Sequence, residues 1–162
     1  MGSDARRPAR APDKIDQAII DALAQDARIG VSELAEMVNI SRATAYNRIK
    51  RLTDEGVIRG YSAVVDHARM GLGITALILI SGSQPDWRAN REIISSYPEV
   101  EYCWYVAGSA DIVLLVRLAN TDQLRDLILT RLQSLPGVNS TQTLTVIDEV
   151  VHRTVVRPPQ DC

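Results

Sequence analysis

The 162 residues leave room for one large domain or two small ones, and the 46% apolar content suffices for a core although phenylalanine is absent and only two Trp and five Tyr occur. Eighteen Lys/Arg against twenty Asp/Glu give a net charge of −2, which argues against a nucleic-acid coat protein. Two cysteines, Cys103 and Cys162, make no disulfide framework, and two histidines without metal-ligand spacing speak against a metal site. The chain opens on a basic arm, residues 1–12, with Arg6, Arg7 and Arg10; Met1 to Ser3 carry no fold argument, and the arm is rich in Arg and Asp rather than signal-like. No apolar run approaches the roughly 18 residues of a membrane span, so no membrane partner is expected and the cytoplasm, with association to the nucleoid, is the expected location.

Residues 13–56 read as three helices. The first, 14–25, carries Ile15, Ile19, Ala22 and Leu23 at helical spacing. The second and third form a hairpin over 32–52, with Leu34, Ala35 and Val38 on one apolar stripe and Ala45, Ile49 and Leu52 on the other. Asn39 suits the left-handed residue that ends the first arm, and Ser41 suits the cap of the second. Residues 42–51 hold four cations, Arg42, Arg48, Lys50 and Arg51, and no acid. Two helices joined by a tight turn, the second cationic at its exposed positions, is the geometry that sets a recognition helix in a DNA major groove. The expected contact residues are Ser41, Arg42, Ala43, Thr44, Tyr46, Asn47, Arg48, Lys50 and Arg51. Asn47 suits adenine and Tyr46 suits phosphate, whereas Arg48 flanks the core stripe and equally suits an ion pair between helices.

Gly56 ends the third helix, and residues 57–65 read as a strand, so residues 57–71 form a hinge strand and linker. Residues 72–157 contain an internal repeat at an offset of 38, because Ser96-Tyr97-Pro98-Glu99-Val100 returns as Ser134-Leu135-Pro136-Gly137-Val138. Each copy is preceded by a strand (74–80, 112–118) and a helix (86–96, and 121–134 with Thr121 as its cap). Each is followed by another strand (99–107, 139–147). Joined at Gly108-Ser109-Ala110, the two units give a ferredoxin-like β-α-β-β-α-β order, with both helices on one face of a four-stranded antiparallel sheet. Residues 158–162 remain as a tail. On the strand after the first copy, Tyr102, Trp104, Val106 and their alternates Cys103, Tyr105, Ala107 are largely apolar. The uncovered sheet face is therefore expected to meet a second copy of the chain. Trp87 and Trp104 fit core or interface positions, and His67 and His152 fit the surface.

A helix-turn-helix unit of winged-helix type, a hinge strand and a ferredoxin-like module make an α+β chain that resembles the Lrp/AsnC, or feast/famine, family of prokaryotic transcription regulators. The resemblance runs from Asp13 to Val156 and is carried by the order of several short segments. These are Asp16…Ile19-Ile20…Leu23…Asp26-Ala27-Arg28, then Ser32-Glu33-Leu34-Ala35, then Ser41…Arg48-Ile49-Lys50-Arg51-Leu52…Gly56-Val57-Ile58-Arg59-Gly60-Tyr61, and finally Leu135-Pro136-Gly137-Val138 with Asp148-Glu149-Val150. It implies a sequence-specific transcriptional regulator that binds double-stranded DNA. It also implies homodimers built through the effector domain, an octamer or other higher assembly, no cofactor, and a small effector such as an amino acid bound between subunits.

The implied effector residues are Tyr105, Ala107, Gly108, Ser109, Ala110, Asp111, Thr141 and Thr143. Where the family often has an acidic residue after the glycine and an aromatic before the aspartate, this chain has Ser109 and Ala110. From chemistry alone, amides around Gly108 suit a carboxylate and Asp111 suits an α-ammonium group. The same turn also fits a plain hairpin in which Asp111 bonds to turn amides. An enzyme is the competing reading, since sirohaem decarboxylase subunits resemble this architecture. Their tetrapyrrole site uses histidine and arginine, and the corresponding run here, Val100-Glu101-Tyr102-Cys103-Trp104-Tyr105, has no histidine, so no catalytic residue is assigned.

Overall fold

The computed structural model describes residues 10–83 and 87–150, excluding the side chains of 87–89. Arg6, Arg7, Asp86, the Trp87 side chain, His152, Cys162 and the 158–162 tail thus lie outside the described residues. The chain divides into two compact units between Val64 and Val65.

The first unit holds α1 (Lys14–Gln25), α2 (Val31–Met37) and α3 (Arg42–Asp54). Asp13 caps α1 in a capping box. Its carboxylate accepts from the amides of Ile15 and Asp16, and Asp16 accepts from the Asp13 amide at 3.0 Å. Helix α2 ends on Asn39, whose φ of 56° is left-handed; the Ile40 amide then reaches back to the Ala35 carbonyl at 2.9 Å. That closure lets Ser41 start α3 at once, accepting from the Thr44 amide at 3.1 Å. Gly56, at φ 72°, ends α3 where a side chain would be strained. Ile19, Ala22, Leu34, Ala35, Ala45 and Leu52 form the core, with Ile15, Leu23, Val38 and Ile49 around it.

The second unit holds β1 (Ile74–Gly82), α4 (Trp87–Ser95), β2 (Val100–Tyr105), β3 (Ile112–Leu118), α5 (Thr121–Asp126) and β4 (Val138–Thr145). The sheet order is β2-β3-β1-β4 with every pair antiparallel, the arrangement expected of two intertwined βαβ units. Alternation sorts the side chains. Ala76, Ile78 and Ile80 of β1 and Ile112, Leu114, Val116 and Leu118 of β3 are buried in one cluster with Ile94 of α4 and Leu127, Leu132 and Leu135. The two copies of the repeat brace each other. Asn90 of α4 donates to the Pro136 carbonyl at 2.8 Å, and Arg131 pairs with Glu99 at 2.7 Å while lying 3.9 Å from the centre of the Tyr97 ring.

Three expectations are corrected. Residues 57–65 form no strand: among the described residues none of the four strands pairs with them, and Tyr61, Val64 and Val65 stand exposed. Their Val, Ile and Tyr content suits a pleated backbone, but a strand also needs a hydrogen-bonding neighbour. Asn120, not Thr121, caps α5, accepting from the Gln123 amide at 3.0 Å; with two capping residues adjacent, the extended backbone at Asn120 decides. The helix then widens, because residues Leu127–Leu132 are π-helical, and the Gln133 amide bonds the Ile128 carbonyl at 3.0 Å. Leu127 and Leu132, five residues apart, thereby both reach the core.

Candidate functional site

The exposed face of α3 carries Arg42, Ala43, Thr44, Tyr46, Asn47 and Lys50, with Ser41 exposed at its start. Tyr46 is 60% exposed. Ala45 and Leu52 are buried on the opposite side, so the helix offers solvent one polar arc of about half its circumference. Lys50 bonds Asp54 at 2.5 Å, a surface i,i+4 pair that raises the ammonium pKa but that solvent and salt screen.

Arg48 and Arg51 are placed differently. Both turn to the flank of the buried stripe, where Arg48 Nη1 donates to Asp13 at 2.7 Å and to Asp16 at 2.8 Å. Arg51 Nη2 donates to the other Asp16 oxygen. Asp16 itself is fully buried on α1. Burial alone would raise its pKa, but the Asp13 amide and the two guanidinium groups outweigh that cost and hold it low. The Arg48 hydrogen bond, with the Asp16 amide, holds Asp13 at about 2. Of the four cations expected to face DNA, two therefore tie α3 to α1, and the ion-pair alternative for Arg48 extends to Arg51. Sequence reasoning did not assign Asp16 this role; the available signal was its place three residues after the cap.

The second candidate lies at the turn joining β2 to β3. Asp111 Oδ2 accepts from the Gly82 amide at 2.9 Å, and the Asp111 amide donates to the Ile80 carbonyl at 2.9 Å. The Ser81 hydroxyl donates to the Ser109 carbonyl at 3.0 Å. The turn is thus latched to the end of β1, and Ser81 and Gly82 belong to this site although no local motif marked them. Ala110 is buried, while Ala107, Gly108 and Ser109 are exposed. A Cβ at Gly108 would meet no atom within 4 Å, so the glycine answers its φ of 155° rather than a close neighbour.

Tyr105, Ile112, Ile80 and Thr141 share one register row across the sheet. Three strand spacings, about 14 Å, separate the outer two. One small ligand cannot touch both within a single chain. Thr141 and Thr143 pair with Ile80 and Ile78 and so lie on the helix-covered side, where Gln133 donates to Thr141 at 3.0 Å. Among the described residues no group of three or more His, Cys, Asp or Glu is placed to hold a metal ion. Among them, too, no helix is long and apolar enough to cross a membrane.

Comparison with known proteins gives this geometry a context. Residues 75–156 match the Lrp/AsnC ligand binding domain, and residues 12–59 match a winged helix-turn-helix DNA-binding domain. The chain is 37% identical over 145 residues to the HTH-type transcriptional regulator AldR of Mycolicibacterium smegmatis, covering 88% of this chain and 85% of that one. Among solved structures, it is similar to a transcriptional regulator of Neisseria meningitidis in complex with L-methionine, with TM-score 0.84, 29% identity and coverage of 90% and 96%. It is similar also to a feast or famine regulatory protein of M. tuberculosis complexed with L-methionine, with TM-score 0.81, 33% identity and coverage of 91% and 100%.

Proposed function

The chain belongs to the Lrp/AsnC family of transcription regulators, and we propose that α3 reads DNA while the second unit pairs two copies and senses an amino acid. The observation that carries the reading is the Ser41-capped helix with Arg42, Tyr46, Asn47 and Lys50 on its open arc. Asn47, on that arc opposite the buried stripe, suits a base edge, and Lys50, on the same arc, suits phosphate. Asn47→Ala is expected to change which sequence is preferred, and Lys50→Ala to weaken all sequences alike, each by about 1–3 kcal/mol. Binding curves on a selected and a scrambled duplex at two salt concentrations check this. Unchanged affinity and preference in both variants would remove α3 from the groove.

The open face of the sheet supports pairing of two copies. Tyr102 and Trp104 stack there with ring centroids 5.1 Å apart, and the register sets Leu115 and Val113, then Leu77 and Leu79, beside them. An apolar surface of this kind, on a unit whose other sheet face is already filled by helices, suits a two-fold partner. Such a dimer presents two recognition helices to half-sites about 34 Å apart. The unit boundaries proposed are 1–12 for the arm, 13–56 for DNA binding, 57–71 for the connection and 72–157 for effector binding and pairing.

For the effector, the turn amides from Gly108 suit a carboxylate, and the Asp111 oxygen not used by Gly82 suits an ammonium group. Thr141 or Thr143 of a neighbouring subunit would complete the shell, in keeping with the 14 Å row. The small Ser109 and Ala110 leave space for a large apolar or aromatic side chain. Asp111→Asn keeps an acceptor for the Gly82 amide and removes the charge. It is expected to weaken amino-acid binding by at least about tenfold, with DNA affinity in the ligand-free state nearly intact. Calorimetry on both proteins tests it; equal ligand affinity would make Asp111 a turn residue alone. The protein acts in the cytoplasm by binding rather than by catalysis, a reading supported by regulators among its relatives and by a β2 without histidine.

A further inference from the structure

We infer that Asp16, a buried residue of α1 remote from the exposed arc of α3, is a specificity-determining positioning residue that sets the roll of the recognition helix through Arg48 and Arg51. The inference rests on the reading of α3 as the DNA-contacting element. Three observations lead to it. Asp16 is fully buried, yet each of its carboxylate oxygens is taken by a different guanidinium, and both guanidinium groups come from α3. Arg48 and Arg51 are one turn apart and lie together on one flank of the Ala45–Ile49–Leu52 stripe. The Asp13 amide fixes the carboxylate from its own helix, so the anchor cannot rotate to follow its partners.

A helix packed only through its apolar stripe can roll, because the contacts of Ala45 and Leu52 with the α2 residues Leu34 and Ala35 are non-directional. Two charge-assisted hydrogen bonds on one flank are directional and remove that freedom. The consequence lies on the far side of the helix. With a side-chain radius of about 5–6 Å, a roll of about 20° carries the tips of Tyr46, Asn47 and Lys50 by about 2 Å. Base-edge hydrogen bonds tolerate only a few tenths of an ångström, whereas attraction to phosphate falls off slowly with distance. A loosened roll therefore removes discrimination before it removes affinity. It also frees Arg51 to turn outward toward phosphate, while Arg48 keeps its bonds to Asp13.

The test uses the full chain with Asp16→Asn, which keeps the volume and the acceptor for the Asp13 amide. The probes are a duplex selected from a random library by the wild-type protein and a scrambled duplex of the same length. The ratio of affinities for the two is expected to fall at least about tenfold. On the scrambled duplex, the slope of log affinity against log salt is expected to steepen by about 0.9 as Arg51 reaches phosphate. Mere destabilisation would lower both affinities by the folded fraction and leave ratio and slope unchanged, and that result in a folded Asp16→Asn protein overturns the inference. If Asp16→Asn fails to fold, Arg51→Gln, which leaves Arg48 on Asp16, decides by the same ratio: a fall supports the inference and an unchanged ratio overturns it. A wild-type protein that selects no sequence overturns the reading of α3 itself, an outcome seen before any variant is made.

Discussion

Replacing Arg48 and Arg51 together by methionine is expected to destabilise the DNA-binding unit by about 3–5 kcal/mol, the usual cost of leaving a buried ion without its partner. The two arginine side chains are only 25% and 29% exposed, and the Asp16 side chain is 1% exposed, so water cannot replace what is lost. The apolar stems of arginine and methionine fill similar space, and the loss is therefore electrostatic rather than a cavity. For a unit of this size the melting midpoint should fall by more than about 12 °C. Adding Asp16→Asn to the double variant should return a large part of the loss, because the uncompensated charge is gone. Denaturant melts of the three proteins provide the measurement. A double variant as stable as the wild type would mean that both arginines are ordinary surface cations, free for DNA.

The same ion pairs fix the acid limit of the fold. Asp13 is held at about 2 by Arg48, and Asp16 is held low by the Asp13 amide with Arg48 and Arg51. In the unfolded chain both titrate near the ordinary aspartate value of about 3.9. Folded-state pKa values below unfolded ones mean that the unfolded chain binds more protons between them. The stabilisation is complete above about pH 4 and is lost as pH falls toward about 2. Helix content followed by circular dichroism through that window should drop in the wild type. The Arg48→Met/Arg51→Met protein should show a flatter dependence, since its aspartates keep only the backbone amides to favour their ionised form.

Periodicity carried much of this fold into the sequence. The stripes at Leu34, Ala35 and Val38 and at Ala45, Ile49 and Leu52 are core positions, and the apolar runs 74–80 and 112–118 became the two central strands. The 38-residue repeat made the topology legible because each copy must bury the same kind of face. What failed were features set by partners distant in sequence. Residues 57–65 have the composition of a strand but no strand neighbour among the described residues, and composition cannot report a missing neighbour. The π-helical turn at Leu127–Leu132 answers the spacing of two core leucines, which a fixed period of 3.6 cannot anticipate. At the site, charge counting found four cations on α3, but their division into two exposed and two inward depends on Asp13 and Asp16, 35 and 32 residues away from Arg48. Asp111 was legible as a turn acid; its bond to Gly82, 29 residues away, was not.

Trp104→Asp is expected to leave the second unit folded and to abolish pairing of two copies. Trp104 stands on the face of β2 away from the helices, stacked on Tyr102 and 44% exposed, so the core of Ile78, Leu114, Val116 and Leu127 does not depend on it. In the proposed dimer that face is covered, and a carboxylate introduced at its centre must be desolvated with no cation built to receive it. Arg117, the one basic residue on β3, is already bound to Glu101 at 2.6 Å and to Glu149 at 3.0 Å. An unpaired buried charge costs about 3–5 kcal/mol, which weakens the dimer by roughly three orders of magnitude. Light scattering should therefore find monomer where the wild type is dimeric, with unchanged circular dichroism. DNA affinity should fall by about 10²–10⁴, because two half-sites held by one dimer gain from effective concentration and two separate monomers do not. A dimeric Trp104→Asp protein would mean that the copies meet through another surface. A monomer that still binds its site at wild-type affinity would mean that pairing through this sheet does not serve recognition.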